Sequence, residues 1–259
     1  MSPLPQMVQA MKLCLAAICQ KINRIPLERL ESCKFVLESF YYIKEKFMDY
    51  YLSRDFFIMD SGAFTFRESK KGASGSFSDY MDFTLRYADF IKKHNIQYFF
   101  EMDIDTIVGL KRVEELRCLL EARTGKRCIP VWHIERGKEY FINMCKKYPY
   151  VAIGGIAGGT NQQYANYQKY FPWFIKTAHQ YDAKIHGLGF TPSNLHQYRF
   201  DSVDSSSWTS GSRYGQLHQF NGQGIRYINP PKKRIARGAD ADNHNFLEWC
   251  AYQRYLERF

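Results

Sequence analysis

The chain has 259 residues, 45% hydrophobic and 24% charged, which excludes a disordered protein and suits one large barrel or two small domains. A formal charge of +10 favours a polyanionic partner without identifying one. Seven cysteines, odd in number and with no Cys-x-Cys or Cys-x-x-Cys pair, argue against a disulfide framework or structural zinc and fit a reducing cytoplasm.

In chain order, residues 11–19 (MKLCLAAIC) read as the apolar face of an N-terminal helix, so residues 1–34 are expected to form a helical extension. No apolar run approaches the ~18 residues of a membrane span. Strands are expected at 35–42 and 56–61, followed by a Gly- and Ser-rich loop at 68–77 that reads as a lid carrying Lys70 and Lys71. A helix over 78–94 has Phe83, Tyr87, Phe90 and Ile91 at helical spacing; another over 111–123 has Val113, Leu116 and Leu120. Strands at 98–103, 128–133, 151–154, 184–188, 200–204 and 224–228 alternate with helices at 138–147 and 162–180. Residues 230–237 (PPKKRIAR) form a basic, extended piece, and 245–259 read as a closing helix. Most strand runs are continuously apolar, as in parallel strands buried on both faces. Eight of them separated by helices imply an α/β fold, a (β/α)₈ TIM barrel over residues 35–259, with a doubly wound open sheet as the alternative.

In such a barrel, functional groups sit at the carboxyl ends of the strands. The second strand ends in Asp60-Ser61-Gly62-Ala63-Phe64, the third in Asp103 and Asp105, and the fourth in His133. The fifth ends in Gly154-Gly155, the sixth in Gly187 and Gly189, and the seventh in Asp201 and Asp204. A single terminal Asp can merely cap the next helix. Three apolar strands ending in carboxylates carry a repeated desolvation cost that function explains better.

These motifs together resemble the guanine transglycosylases. Asp60-Ser61-Gly62-Ala63-Phe64 is similar to that family's Asp-Ser-Gly-Gly-Phe signature, and Gly154-Gly155-Ile156-Ala157 to its Gly-Gly-Leu-Ala loop. Gly187-Leu188-Gly189-Phe190-Thr191-Pro192 resembles its Gly-Val-Gly-Thr-Pro turn with one insertion, and residues 200–214 match the Asp-x-x-Asp nucleophile segment. The resemblance covers residues 35–230. It implies Asp204 as nucleophile, Asp60 as general acid/base, and Asp103 on the Watson–Crick edge of the base. It also implies Ser61, Gly154, Gly155 and Ile156 around the base rim and Phe64 as a wall of the slot. His133 falls near a family Gln that binds the base, and His186 replaces a Met that lies over it. The family's C-terminal zinc lobe has no counterpart here, so the chain looks more similar to compact, phage-type members that insert 7-deazaguanines into DNA.

The resemblance therefore implies a pentosyltransferase that exchanges guanine for a 7-deazaguanine base of the preQ0 or preQ1 type, in DNA or alternatively in tRNA, with no metal and no cofactor. Lys70, Lys71, Arg213, Lys232, Lys233, Arg234 and Arg237 are candidates for phosphate contacts. Two rivals belong to other classes: a non-catalytic nucleic-acid-binding subunit, and a metal-dependent barrel hydrolase using Asp103, His133 and His186.

Overall fold

The computed structural model describes residues 10–69, 76–154, 161–228 and 238–259, with only the backbone of 161–164. Eight parallel strands form one curled sheet: β1 (Lys12–Ala16), β2 (Phe35–Ser39), β3 (Phe56–Asp60), β4 (Tyr98–Phe99), β5 (Val131–Trp132), β6 (Tyr150–Ile153), β7 (Lys184–Gly187) and β8 (Ser202–Ser205). Their order is β4-β3-β2-β1-β8-β7-β6-β5. The two outer strands meet through a single parallel bridge between Phe100 and Ile129. There the Ile129 amide donates to the Phe99 carbonyl at 2.8 Å and the Glu101 amide to the Ile129 carbonyl at 3.1 Å. The architecture is a TIM-barrel-like α/β fold, a curled eight-stranded parallel sheet with helices packed on it.

Two expectations about the strands are corrected. The run expected as an N-terminal helix is strand β1, which pairs with β2 and β8. Lys12–Ala16 therefore belongs to the same sheet as the strands that follow, and not to a separate extension. Five apolar residues are too few for periodicity to distinguish a helix from a fully buried strand; the neighbours decide. Here Leu13, Cys14 and Leu15 are buried between two partner strands. Conversely, the segment expected as the eighth barrel strand contains β10 (Ile225–Ile228), which pairs antiparallel with β9 (Leu217–Phe220) in a separate hairpin. Arg226 and Tyr227 are exposed there, a half-wet pattern that suits a surface hairpin and not a barrel interior. Its turn is held by Asn221, whose side-chain oxygen accepts from the Gln223 and Gly224 amides.

Side chains alternate across the sheet with period two. Leu13, Leu15, Val36, Phe57, Met59, Val151, Ile153, Ile185 and Val203 join the helices in the larger apolar cluster. Cys14, Ala16, Phe35, Leu37, Phe56, Ile58, Val131, Tyr150 and Ala152 form a second cluster inside the curl. By the same parity Asp60, His133, Gly154, His186, Ser202 and Asp204 lie on the inner face, all but Ser202, which opens β8, at or near the carboxyl ends of their strands.

The helix Phe77–Lys93 begins with a capping box between Ser76 and Asp79 and buries Phe83, Tyr87 and Ile91 as expected, with Phe90 partly covered. Tyr87 reaches through to the sheet, its hydroxyl lying 3.0 Å from the Met59 carbonyl and 3.1 Å from that of Phe100. Leu110–Thr124 buries Val113, Leu116 and Leu120. The helix expected at 162–180 is two, Asn161–Gln168 and Phe171–Gln180, the second opening with Pro172 where a missing amide costs nothing. The final helix, Gly238–Leu256, packs on β1 and the hairpin, and Gln253 joins it to the sheet. Its amide donates to the Leu13 and Phe35 carbonyls at 2.7 and 2.9 Å, and its oxygen accepts from the Lys34 amide at 2.7 Å.

Candidate active site

Asp60 ends β3 at a turn that needs glycine. Gly62 has φ 69°, and a Cβ there would stand 2.6 Å from Cβ of Tyr41. This close approach folds the loop after β2 over the turn and lets the Gly62 amide donate to Asp60 Oδ2 at 3.0 Å. Desolvation dominates at Asp60, and the negative charges of Asp103 and Asp204 add to it, so its pKa is pushed up to about 7 despite the Gly62 amide. Ser61 is buried, its hydroxyl accepting from the Ala63 amide at 3.3 Å. Phe64 is 57% exposed, available as a wall or platform beside Asp60.

On β8, Asp204 Oδ1 accepts from the Gly189 amide at 2.8 Å and from His186 Nε2 at 3.2 Å. Gly189 has φ 69°, so the turn after β7 aims a backbone N–H that most residues would not present there. His186 has no exposed surface and both ring nitrogens are engaged, Nδ1 with Ser202 Oγ. The structure thus places His186 behind Asp204, not as an open surface over a base. Asp201, grouped with Asp204 from the sequence, precedes β8 at the other end of the strand and pairs with His179 and the Ile185 amide.

Asp103 and His133 hydrogen-bond to each other, and Asp105 lies 3.8 Å from the same imidazole nitrogen. Burial alone would lower the His133 pKa, but the bond and charge of Asp103, with Asp105, outweigh it and raise the value. Gly154 permits this packing, since a Cβ there would lie 3.2 Å from His133 Cε1 and 2.8 Å from Val131 Cγ1. Behind the pair is a buried ionic group that sequence reasoning missed. Arg136 binds Asp105 and Glu101, each at 2.8 Å, and Arg117 binds Glu101 at 3.2 Å. Glu101 also accepts from the Val131 amide at 2.8 Å; burial raises its pKa while the two arginines pull it down. A glutamate within the apolar run Tyr98–Phe100 and Met102 was the available signal, whereas Arg136 gave none.

One donor atom each from Asp103, Asp105 and His133 lie within 4.8 Å of one another, a set able to hold a divalent metal ion. Arg136 already satisfies the other Asp105 oxygen. His186, expected to complete such a set with Asp103 and His133, is committed to Asp204 and Ser202 instead. Gly155, Ile156, Lys70, Lys71, Lys232, Lys233, Arg234 and Arg237 lie outside the described residues. Arg213 is exposed on the short helix Ser210–Tyr214 that follows β8. Among the described residues no helix is long and apolar enough to cross a membrane.

No protein-family model and no curated protein matches the sequence. Among solved structures, the chain is similar to the carboxyl transferase domain of Rhizobium etli pyruvate carboxylase with 3-hydroxypyruvate, at 12% identity and a TM-score of 0.43. That match covers 95% of this chain and 48% of the other, so the chain spans about half its length. A likeness this loose carries no argument about activity.

Proposed function

We propose that the chain exchanges a purine base at an N-glycosidic bond, as a guanine transglycosylase acting on DNA and inserting a 7-deazaguanine. The observation that carries this reading is the pair of inner-face carboxylates with contrasting surroundings. Asp60, raised to about 7, can hold or release a proton near neutral pH. Asp204 is braced as an acceptor by two donors on one oxygen, leaving the other for attack. Two such groups suit a double displacement with retained configuration, by analogy with retaining glycoside hydrolases.

In this mechanism Asp204 attacks C1′ of the target nucleotide and the C1′–N9 bond breaks, with the electron pair leaving on guanine. Asp60 in its protonated form delivers a proton to the departing base. The resulting ester between Asp204 and the sugar is then attacked by the incoming 7-deazaguanine nitrogen, whose proton returns to Asp60. The Asp103–His133 pair lines the mouth where the polar edge of the base would be read. The target must be flipped out or single-stranded, at a cost of roughly a few kcal/mol. Net charge and exposed Phe64 favour a nucleic-acid strand in that role.

The test is incorporation of labelled guanine into DNA and tRNA side by side, by wild type and Asp204→Asn. Incorporation into DNA that falls by roughly 10³-fold or more in the variant is expected. Label in tRNA alone would move the substrate to the alternative, and undiminished exchange by Asp204→Asn would end the assignment.

A further inference from the structure

Base exchange as written uses Asp60 and Asp204 but leaves three buried polar side chains behind Asp204 without a role. Tyr150 on β6 bonds to Ser202 on β8, Ser202 bonds to His186 Nδ1 on β7, and His186 Nε2 bonds to Asp204 Oδ1. All four lie on the inner face, where the neighbours are Cys14, Ala16, Ile58, Val131 and Ala152. Burying a hydroxyl, a phenol and an imidazole there costs more than apolar side chains of the same size would.

The chain of bonds has a direction. A carboxylate only accepts, so His186 Nε2 carries a hydrogen. In the neutral ring Nδ1 then accepts from the Ser202 hydroxyl, and Ser202 Oγ in turn accepts from the Tyr150 hydroxyl. Every hydrogen points toward Asp204, an arrangement in which each bond polarises the next. Sheet register builds it: His186 is paired with Ser202 across β7 and β8, and Ala152, two residues beyond Tyr150, is paired with His186 across β6 and β7.

We propose that His186 is a positioning residue whose Nε2–H, oriented by Ser202 and Tyr150, locks Asp204 Oδ1 and reserves Oδ2 as the attacking oxygen. This rests on the reading of Asp204 as the nucleophile. His186 touches no substrate; it limits rotation of the carboxylate about its Cβ–Cγ bond. Without that donor the Gly189 amide alone holds Oδ1, and the carboxylate swings between productive and unproductive orientations.

The experiment uses the full chain in three forms, wild type, His186→Met and His186→Gln, with folding checked by circular dichroism. His186→Met keeps the volume and removes the donor; it should lower kcat for guanine exchange by roughly 10- to 100-fold with KM for the base little changed. His186→Gln can donate from its amide and should recover part of that loss. Independently of activity, nitrogen-15 imidazole NMR on wild type should show His186 as the Nε2–H tautomer. A Met variant with full kcat overturns the positioning role while base exchange stands. An Nδ1–H tautomer overturns the relay at any level of activity. A wild type that exchanges no base would sink the base-exchange reading and with it the attacking role of Oδ2; the Nε2–H tautomer would then support only the hydrogen bond from His186 to Asp204 Oδ1.

Discussion

On the β3–β5 side of the mouth the polar groups are ionisable: Asp60 by itself, then the paired Glu101, Asp103, Asp105, His133 and Arg136, with Arg117 behind them. On the β6–β8 side they are hydroxyls, an imidazole and a backbone amide gathered around the single carboxylate of Asp204. An ionic cluster can place its protons in several ways, and its balance responds to any charge brought near it. A chain of neutral donors has one satisfied arrangement and a fixed shape. One side is thus suited to moving protons and the other to holding an oxygen still.

The contrast is tested most strongly by Arg136→Met. It takes the buried cation from Asp105 and leaves Glu101 with Arg117 alone, and should cost about 3–5 kcal/mol, read from urea unfolding. A loss below 1 kcal/mol would mean that the ionic side is solvated and not a buried network.

His218 in the hairpin provides a control, being another imidazole held by neutral partners. Trp249 Nε1–H donates to its Nδ1 at 2.7 Å and Ser210 lies 3.0 Å from its Nε2. Burial, with His244 nearby, lowers its pKa to about 4. A histidine depressed in the folded state stabilises above its unfolded pKa near 6.5, and that contribution is lost as pH falls from about 6.5 to 4. The loss should be on the order of 3 kcal/mol and absent from His218→Gln, measured by unfolding across that range.

Asp60 has the opposite sign. With its folded pKa near 7, above the ordinary carboxylate value, its favourable contribution is complete below about pH 4 and is lost as pH rises to 7. Asp60→Asn should therefore be more stable than wild type at pH 8, by roughly 1–3 kcal/mol, and no more stable at pH 4. Equal melting temperatures at pH 8 would show that the mouth does not desolvate this carboxyl. The smallest effect is expected at the far end of the relay, where Tyr150→Phe removes one neutral hydrogen bond. A cost near 1 kcal/mol would fit that role, and one as large as that of Arg136→Met would erase the difference between the two sides.

What could be read in advance followed the range of the forces involved. Asp60 stood out because an acid closing the apolar run Phe56–Met59 announces its own desolvation, whereas Asp204, after Asp201-Ser202-Val203, stood out only by the motif its segment resembles. The helices around Phe83, Tyr87, Val113 and Leu116 stood out because their signal is local periodicity. Strand β1 did not, since Lys-Leu-Cys-Leu-Ala is as acceptable to a helix as to a strand, and its partners begin at Phe35 and Ser202. Arg136 and Glu101 are 35 residues apart, and no spacing rule joins them. The relay behind Asp204 depends on the register of three strands, which individual sequence segments do not specify.

The placement of β1 between β2 and β8 also bears on how the chain is made. Its neighbour on one side emerges soon after it, but β8 and the Gln253 clasp on the Leu13 carbonyl follow about 190 and 240 residues later. At ribosomal speeds of about 5–20 residues per second, the apolar edge of β1 waits roughly 10 to 50 s for those partners. During that interval the nascent chain carries an open, sticky strand edge, the kind of surface that chaperones cover. The strand that is hardest to recognise in the sequence is therefore also the one whose pairing is completed among the last, and slowing translation after residue 205 should separate capture by β8 from closure by the final helix.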